Sequence, residues 1–450
     1  MSAIRTGSAL GGWESMRNRL NRVWFFSEVY YPEETGTGYY VTRIAEHFAQ
    51  NRPVSAITAQ PSYSKAGRMA PRRELHNGVD IHRCSSYLPS SKSLGARMLK
   101  IFSITLSMLI VGLTRVRRGD SIVAVTNPPS VPILAWLLSL IFGVRYYLIV
   151  HDIHPDIAAA CGVISRHSLQ FRFLRWLNRL VLRRATKITA LGYDMCEYLA
   201  DLRGLEKGAA ILMIPIWSDC DDEWPTSRGG NPLLRRLGLM DKFVVLYAGN
   251  MSSPHGIKTI VNAAKMLKAE QGIHFLFIGS GPKRTFVEAA AKAGEANITV
   301  LDPRPRSEQN EFMSACDVSI LSLVEGMLGL AVPSRTYNVM AAGKPLIAVV
   351  SSKSDTARIV REENIGWAVE PGDADRLVEV ILSARRQPEV REEMSLRARR
   401  AAETKYSQKM ILARFDDLLA DETAAPAEGS RELTGPSGAI GSARQPRGQD

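Results

Sequence analysis

At 450 residues the chain is too long for one ordinary domain and suits two of α/β size with appendages. A hydrophobic share of 45% and a charged share of 23% exclude a disordered or fibrous chain. The net charge of +12 is concentrated at the front, with 17 basic against 8 acidic side chains in residues 1–120, which points to an anionic partner such as lipid headgroups, phosphates or nucleic acid.

Residues 1–21 mix Gly, Ser and Arg, lack the apolar stretch of a secretory signal, and are expected to be flexible. From Arg22 short β-branched runs alternate with helical stretches. VWFFS (Val23–Ser27) is followed by a helix-like Tyr39–Gln50, then by VSAIT (Val54–Thr58), SIVAVT (Ser121–Thr126), VRYYLIV (Val144–Val150) and KITAL (Lys187–Leu191). Each run is bounded by polar, Gly or Pro residues, as for strands buried on both faces. Residues 22–218 form the first predicted domain, and the acidic then Gly/Pro-rich stretch within 219–240 reads as a linker. A second alternation, residues 241–406, runs through FVVLYAGN, HFLFIGSG, ITVL, VSILSL and PLIAVV. A helix over 407–421 is expected to return to the first domain, and residues 422–450 to be disordered. The fold class predicted is α/β, with two doubly wound parallel-sheet, Rossmann-like domains facing a cleft where ligands meet the carboxyl ends of the strands.

Five scattered cysteines without a Cys-x-x-Cys pair argue against a disulfide framework and a zinc site, and fit a reducing compartment. Gly36-Thr37-Gly38 precedes a helix whose free N–H groups and dipole favour a phosphate, although a plain glycine turn has the same look. VHDIHPDI puts His151, Asp152, His154 and Asp156 at a strand end. They are open to three readings: substrate or catalytic contacts, polar loop packing, or a metal, the last disfavoured by their irregular spacing. Gly249-Asn250 and Gly279-Ser280-Gly281 are two further strand-to-helix turns, with Lys283 and Arg284 adding charge after the second. In EGMLGLAVPSRTYNVMAAGKP the loop from Glu325 to Leu330 presents backbone amides, Pro333-Ser334-Arg335 starts a helix, and Gly343 stops it. Free amides at a helix start with Arg335 in its first turn suit a diphosphate.

These segments resemble the GT-B-fold, family 4-type (group 1) retaining glycosyltransferases, over roughly residues 22–419. The match rests on YYPEETGTG, the strand-end His-Asp, YAGN, FIGSGP and EGMLGLAVPSRTYNVMAAGKP. The Val-Pro-Ser-Arg-x-Tyr pattern is similar to the branch that builds bacterial polysaccharides on lipid carriers. The resemblance implies a retaining transfer from a nucleotide sugar to a lipid-linked acceptor, with no metal or other cofactor. It places Gly36, Thr37 and Gly38 near the donor phosphates and His151 or Asp152 at the transferred sugar. Gly249, Asn250, Gly281, Lys283 and Arg284 would border or pair with the diphosphate. Glu325 and the amides of Gly326, Met327, Leu328, Gly329 and Leu330 would hold sugar hydroxyls and diphosphate, beside Ser334 and the neutralising Arg335. The chain departs from the family where two Glu are common, with Leu330 and Asn338 in their place; Asn338 would contact ribose as a neutral group. It also lacks the basic residue usual after Asn250, leaving His255 and Lys258 as poor substitutes.

Ser165–Lys187 holds seven Lys or Arg and no acid, with Arg172, Arg175, Arg179 and Arg183 along one helix face. Ile101–Leu113 is apolar with basic flanks, and no uninterrupted apolar run reaches the roughly 20 residues of a bilayer span. Both fit an anionic membrane surface, and both fit an ordinary solvated or core helix. The expectation is a cytoplasmic enzyme peripheral on the inner face of the plasma membrane. Nucleic acid is set aside for want of a recognised module. A nucleotide-sugar 2-epimerase and a non-catalytic membrane-associated binding protein are the competing readings.

Overall fold

The computed structural model describes residues 21–61, 69–85, 94–204, 211–220 and 228–420. The expected tail, and all but the last residue of the expected flexible N-terminus, lie outside the described residues. Eight strands form the first sheet: β1 (Val23–Phe26), β2 (Val54–Ala59), β3 (Arg73–His76), β4 (Val79–Cys84), β5 (Ser121–Val125), β6 (Arg145–Val150), β7 (Lys187–Ala190) and β8 (Ile211–Met213). Their order is β3-β4-β2-β1-β5-β6-β7-β8, parallel throughout except for β3 against β4. Six parallel strands form the second sheet: β9 (Phe243–Ala248), β10 (Ile273–Ile278), β11 (Ile298–Leu301), β12 (Val318–Ser322), β13 (Leu346–Val349) and β14 (Gly366–Val369), in the order β11-β10-β9-β12-β13-β14. The central strands are apolar at almost every position because helices cover both faces. Strand order reverses between β1 and β5 in one sheet and between β9 and β12 in the other, so ligand crevices open at those two points.

The sequence reading passes over the β3–β4 hairpin, which departs from the all-parallel expectation. Its turn is Asn77-Gly78, both with positive φ, 45° and 82°, a geometry that suits a two-residue hairpin turn. Part of the expected linker is folded as well: the helix Pro232–Leu237 is capped by Asn231, whose Oδ1 accepts the Leu234 N–H at 3.1 Å, and Leu233 and Leu234 are buried. The helix Gln408–Phe415 packs on the helix Gly36–Ala49 of the first domain, where His47 Nε2 meets Asp416 at 2.8 Å.

The apolar run Ile101–Leu113 lies inside a longer helix, Leu94–Arg115, of 22 residues. Residues Met98–Arg115 have a mean hydropathy of 1.5, long and apolar enough to cross a membrane, which the sequence reading did not anticipate. One face of this helix is held by the fold: Ile104 and Met108 are buried, and a Cβ on Gly112 would lie 2.8 Å from Leu138. The opposite face is open.

Candidate active site

The first-domain wall of the cleft is made at the carboxyl ends of β1, β5 and β6. The helix Gly36–Ala49 begins with three amides, Gly36 to Gly38, that have no acceptor among the described residues, and its first turn holds no acid. Gly38 permits this tight entry, since a Cβ there would lie 2.9 Å from the Glu33 carbonyl oxygen. The Oγ1 of Thr126, at the end of β5, accepts the N–H groups of both His151 (3.0 Å) and Asp152 (3.3 Å), fixing the turn after β6. His151 then points at the glycine turn, with Nδ1 3.4 Å from Thr37 Oγ1. Burial lowers its pKa to about 4, so the ring is neutral near pH 7. Burial raises the pKa of Asp152, which His154 offsets in part. His154 is itself lowered, by burial first. Asp156 turns away from the cleft, accepting Tyr198 Oη at 2.6 Å and facing Arg175 at 3.8 Å. Of the three readings of this cluster, loop packing describes Asp156. Among the described residues no group of three His, Cys, Asp or Glu is arranged to hold a metal ion.

The second-domain wall is built on glycines. Gly249, Gly279 and Gly281 have φ of 137°, 147° and 137°, a region that L side chains avoid. A Cβ on Gly279 would overlap the Gly249 carbonyl, and one on Gly281 would lie 2.7 Å from Asn250 Oδ1. A Cβ on Gly249 would overlap the guanidinium of Arg335. That guanidinium bonds the Asn250 carbonyl at 3.4 Å and lies 5.0 Å from the Tyr247 ring centroid. The Lys283 ammonium donates to the carbonyls of Ser253 (2.8 Å) and His255 (2.7 Å). No carboxylate pairs with Arg335 or Lys283 among the described residues. Arg284 is placed differently, bonded to Glu288 at 2.8 Å, Asp302 at 2.7 Å and the Gly279 carbonyl at 2.9 Å.

His255 joins this group. Burial, then Arg335 and Lys283, lower its pKa to about 3, while Ser252 Oγ meets its Nδ1 at 3.0 Å. The sequence pointed to it only as a weak replacement for a missing basic residue; here it is a neutral ring close enough to both cations to feel their charge.

The loop after β12 differs from expectation. The N–H of Gly329 goes to Asp194 Oδ2 at 3.2 Å and that of Leu330 to the Met327 carbonyl at 3.0 Å, so neither is offered to a ligand. Leu330 is buried, and its carbonyl accepts the Ile153 N–H at 3.1 Å, next to a bridge between Asp152 and Ala331. This segment therefore zips the two domains together. The amides of Gly326, Met327 and Leu328 have no partner among the described residues, and Gly326 faces Ala160 of the first domain. Glu325 stands exposed and, among the described residues, makes no hydrogen bond or ion pair with the other candidate residues. Ser334 approaches Gly36 across the cleft, its Oγ 3.9 Å from where a Cβ would sit. Asn338 has a buried Oδ1 without a hydrogen-bond partner among the described residues.

A further contact between the domains escaped the sequence. Asp219 accepts Tyr39 Oη at 2.9 Å and Trp217 Nε1 at 3.1 Å and is ion-paired with Arg306, whose guanidinium lies 3.8 Å from the Tyr39 ring centroid. Its members lie 180 and more residues apart in part, so no local pattern announces it.

Comparison with known proteins matches both domains. The glycosyl transferases of group 1 match residues 234–401, and the glycosyl transferase 4-like domain matches residues 35–217. The chain is 29% identical over 370 residues to WbjE of Pseudomonas aeruginosa, a protein named as a probable glycosyltransferase, covering 80% of this chain and 89% of the relative. It is 23% identical over 401 residues to WcaI of Escherichia coli (strain K12), named as a colanic acid biosynthesis glycosyl transferase, covering 86% and 96%. Among solved structures, Anabaena Alr3699/HepE in complex with UDP-glucose superposes with a TM-score of 0.67 at 15% identity, covering 89% of this chain and 99% of that one. Two doubly wound sheets facing one cleft, matched by one family model in each domain, make this chain a group 1 glycosyltransferase of the GT-B fold.

Proposed function

We propose that the chain transfers a sugar, with retention of anomeric configuration, from a nucleoside-diphosphate donor to a polyprenyl-diphosphate-linked acceptor in the assembly of a cell-surface polysaccharide. The observation that carries this reading is the pair of cations Arg335 and Lys283, without a carboxylate partner among the described residues, beside glycine turns and a neutral His255 that feels both charges. Opposite them are the open amides of Gly36 to Gly38. A diphosphate laid there meets positive charge on one side and a helix N-terminus on the other. The relative named for colanic acid biosynthesis supports the polysaccharide setting, and the UDP-glucose complex of the structural neighbour supports the donor class.

Catalysis in this reading is positioning together with stabilisation of the departing diphosphate. Arg335, Lys283 and the helix amides take up the charge that grows on the leaving group. His151, held neutral and aimed at Thr37, offers the sugar a hydrogen bond without adding charge. The acceptor hydroxyl attacks from the side the diphosphate leaves, and the leaving phosphate takes its proton. No side chain becomes glycosylated, and no metal or other cofactor takes part. Asn338 replaces a carboxylate at the ribose with a neutral amide whose Oδ1 lacks a partner.

The test is a thermal-shift comparison of UDP-, GDP-, ADP- and dTDP-sugars, followed by transfer to a lipid-linked acceptor with the responding donor. About 100-fold excess over Kd stabilises by about 2.7 kcal/mol, a clear shift. An NMR spectrum of the product reports whether the anomeric configuration is kept. No response to any donor by folded protein moves the reading to a non-catalytic binding protein, and a sugar trapped on Asp152 or Glu325 removes the proposed route.

A further inference from the structure

We infer that the first domain docks on an anionic phospholipid bilayer through one face made by three helices, Leu94–Arg115, Val131–Phe142 and Leu169–Arg184. These helices lie side by side on one face of the first sheet, the second packing against both others. Along the first, Leu99, Phe102, Leu106, Ile110 and Leu113 point outward at three- and four-residue steps, with Phe102 64% and Ile110 54% exposed. Ile141 continues the apolar surface on the second helix, 59% exposed. On the third, Phe173 and Trp176 stand 58% and 54% exposed with ring centroids 5.9 Å apart. A soluble monomer rarely leaves so many large apolar side chains open along neighbouring helices, and such a face marks an interaction site.

Charge selects the occupant. The three helices contain no Asp or Glu, and they carry three, no and five Lys or Arg in turn. Arg172 and Arg179 are exposed on the same stripe as Phe173 and Trp176, and Arg115, Arg117 and Arg118 close the far end of the first helix. Cations around an apolar strip on helices that carry no acid complement lipid phosphates above acyl chains. The basic stripe differs from the one read in the sequence: Arg175 faces Asp156 at 3.8 Å, and Arg183 Nε bonds the Arg203 carbonyl at 3.1 Å. Both are partly engaged by the fold, while part of each side chain stays exposed.

The first helix lies on the bilayer and does not cross it. Its inner face is anchored by Ile104, Met108 and Gly112, and its start is tied to the cleft. Lys100 pairs with Glu28 at 3.0 Å in the loop after β1, and Thr105 meets Ser130 at 2.7 Å in the loop after β5. Docking on this face brings the cleft mouth to the lipid surface, where a lipid-linked acceptor is held. The inference does not depend on the donor chemistry.

The experiment is sedimentation of the full-length chain with vesicles of phosphatidylglycerol and phosphatidylethanolamine, or of phosphatidylcholine alone. Binding to the anionic vesicles is expected, falling with salt. The variant Phe102→Ser/Ile110→Ser/Trp176→Ser, which keeps its thermal unfolding transition, is expected to lose at least tenfold in partitioning. Arg172→Glu/Arg179→Glu is expected to weaken binding and flatten its salt dependence. Brominated lipid is expected to quench tryptophan fluorescence in the unaltered chain and much less in Trp176→Phe. The inference fails if the folded chain ignores anionic vesicles, or if the triple variant binds them unchanged. It also fails if those three substitutions instead abolish a concentration-dependent dimer, which gives the face to a second copy.

Discussion

The guanidinium of Arg335 lies in the space that a side chain on Gly249 would need. The glycine at the end of β9 is therefore what lets the cation reach the cleft from the helix after β12. Gly249 also has a φ of 137°, where an alanine is strained whatever its surroundings. Gly249→Ala is expected to cost about 1–3 kcal/mol of stability and to reduce transfer further by displacing Arg335. Adding Arg335→Ala is expected to recover part of the stability and none of the activity. Paired thermal unfolding and transfer rates for the single and double variants check this.

Arg335 contributes little to the fold, having one long bond to the Asn250 carbonyl and no carboxylate partner among the described residues. Its removal is expected to leave the melting temperature nearly unchanged. Donor KM should rise and kcat fall, together costing about 2 kcal/mol or more in kcat/KM, the scale of a charge-assisted contact made more fully in the transition state. Arg335→Lys should recover only part of this, because an ammonium lacks the planar fork. Wild-type steady-state kinetics in Arg335→Ala would take this residue out of the donor site.

Most of the fold was legible in the sequence, because strands covered on both faces carry unbroken apolar runs such as Phe243–Ala248 and glycine turns mark where they end. The site was legible only as a list of turns. Arg335 and Lys283 could be named from helix starts, but not which cation was spent elsewhere. Arg284 follows Lys283 directly and yet pairs with Glu288 and Asp302, a matter of which way a helix turn faces. Gly329 and Leu330 looked like free amides, and are consumed by Asp194 and Met327. Asp194 lies 135 residues from Gly329, so no local pattern could show it. The β3–β4 hairpin was within reach, since Asn-Gly between short runs is a direct hairpin signal.

A buried and a half-buried histidine contribute to a pH limit. His151 and His255 are held neutral, with pKa lowered from 6.5 to about 4 and about 3. The unfolded chain takes up a proton at each near 6.5, while the folded chain resists until far lower pH. The unfolded state therefore binds more protons as pH falls below about 6.5, and stability drops through that window by up to about 1.4 kcal/mol per pH unit for each histidine. Above pH 7.5 their contribution is flat. Urea unfolding between pH 7.5 and 5 checks the slope, which His255→Gln should reduce. A slope equal to that of the unaltered chain would mean that His255 is already free to protonate in the folded state.

Asn338 tests whether the neutral amide is part of the donor site. Its Oδ1 is buried without a partner among the described residues, a cost the fold bears without return unless a ligand hydroxyl bonds there. A ribose hydroxyl is held equally in ground and transition states, so Asn338→Ala is expected to raise donor KM several-fold and leave kcat close to unchanged. The magnitude is about 1 kcal/mol, that of one neutral hydrogen bond. The same change should stabilise the unliganded protein slightly by removing an unsatisfied buried oxygen. Unchanged donor KM together with a raised melting temperature would make Asn338 a defect of the fold and not a contact. A raised KM with kcat intact would put the Asn338 amide in the donor site.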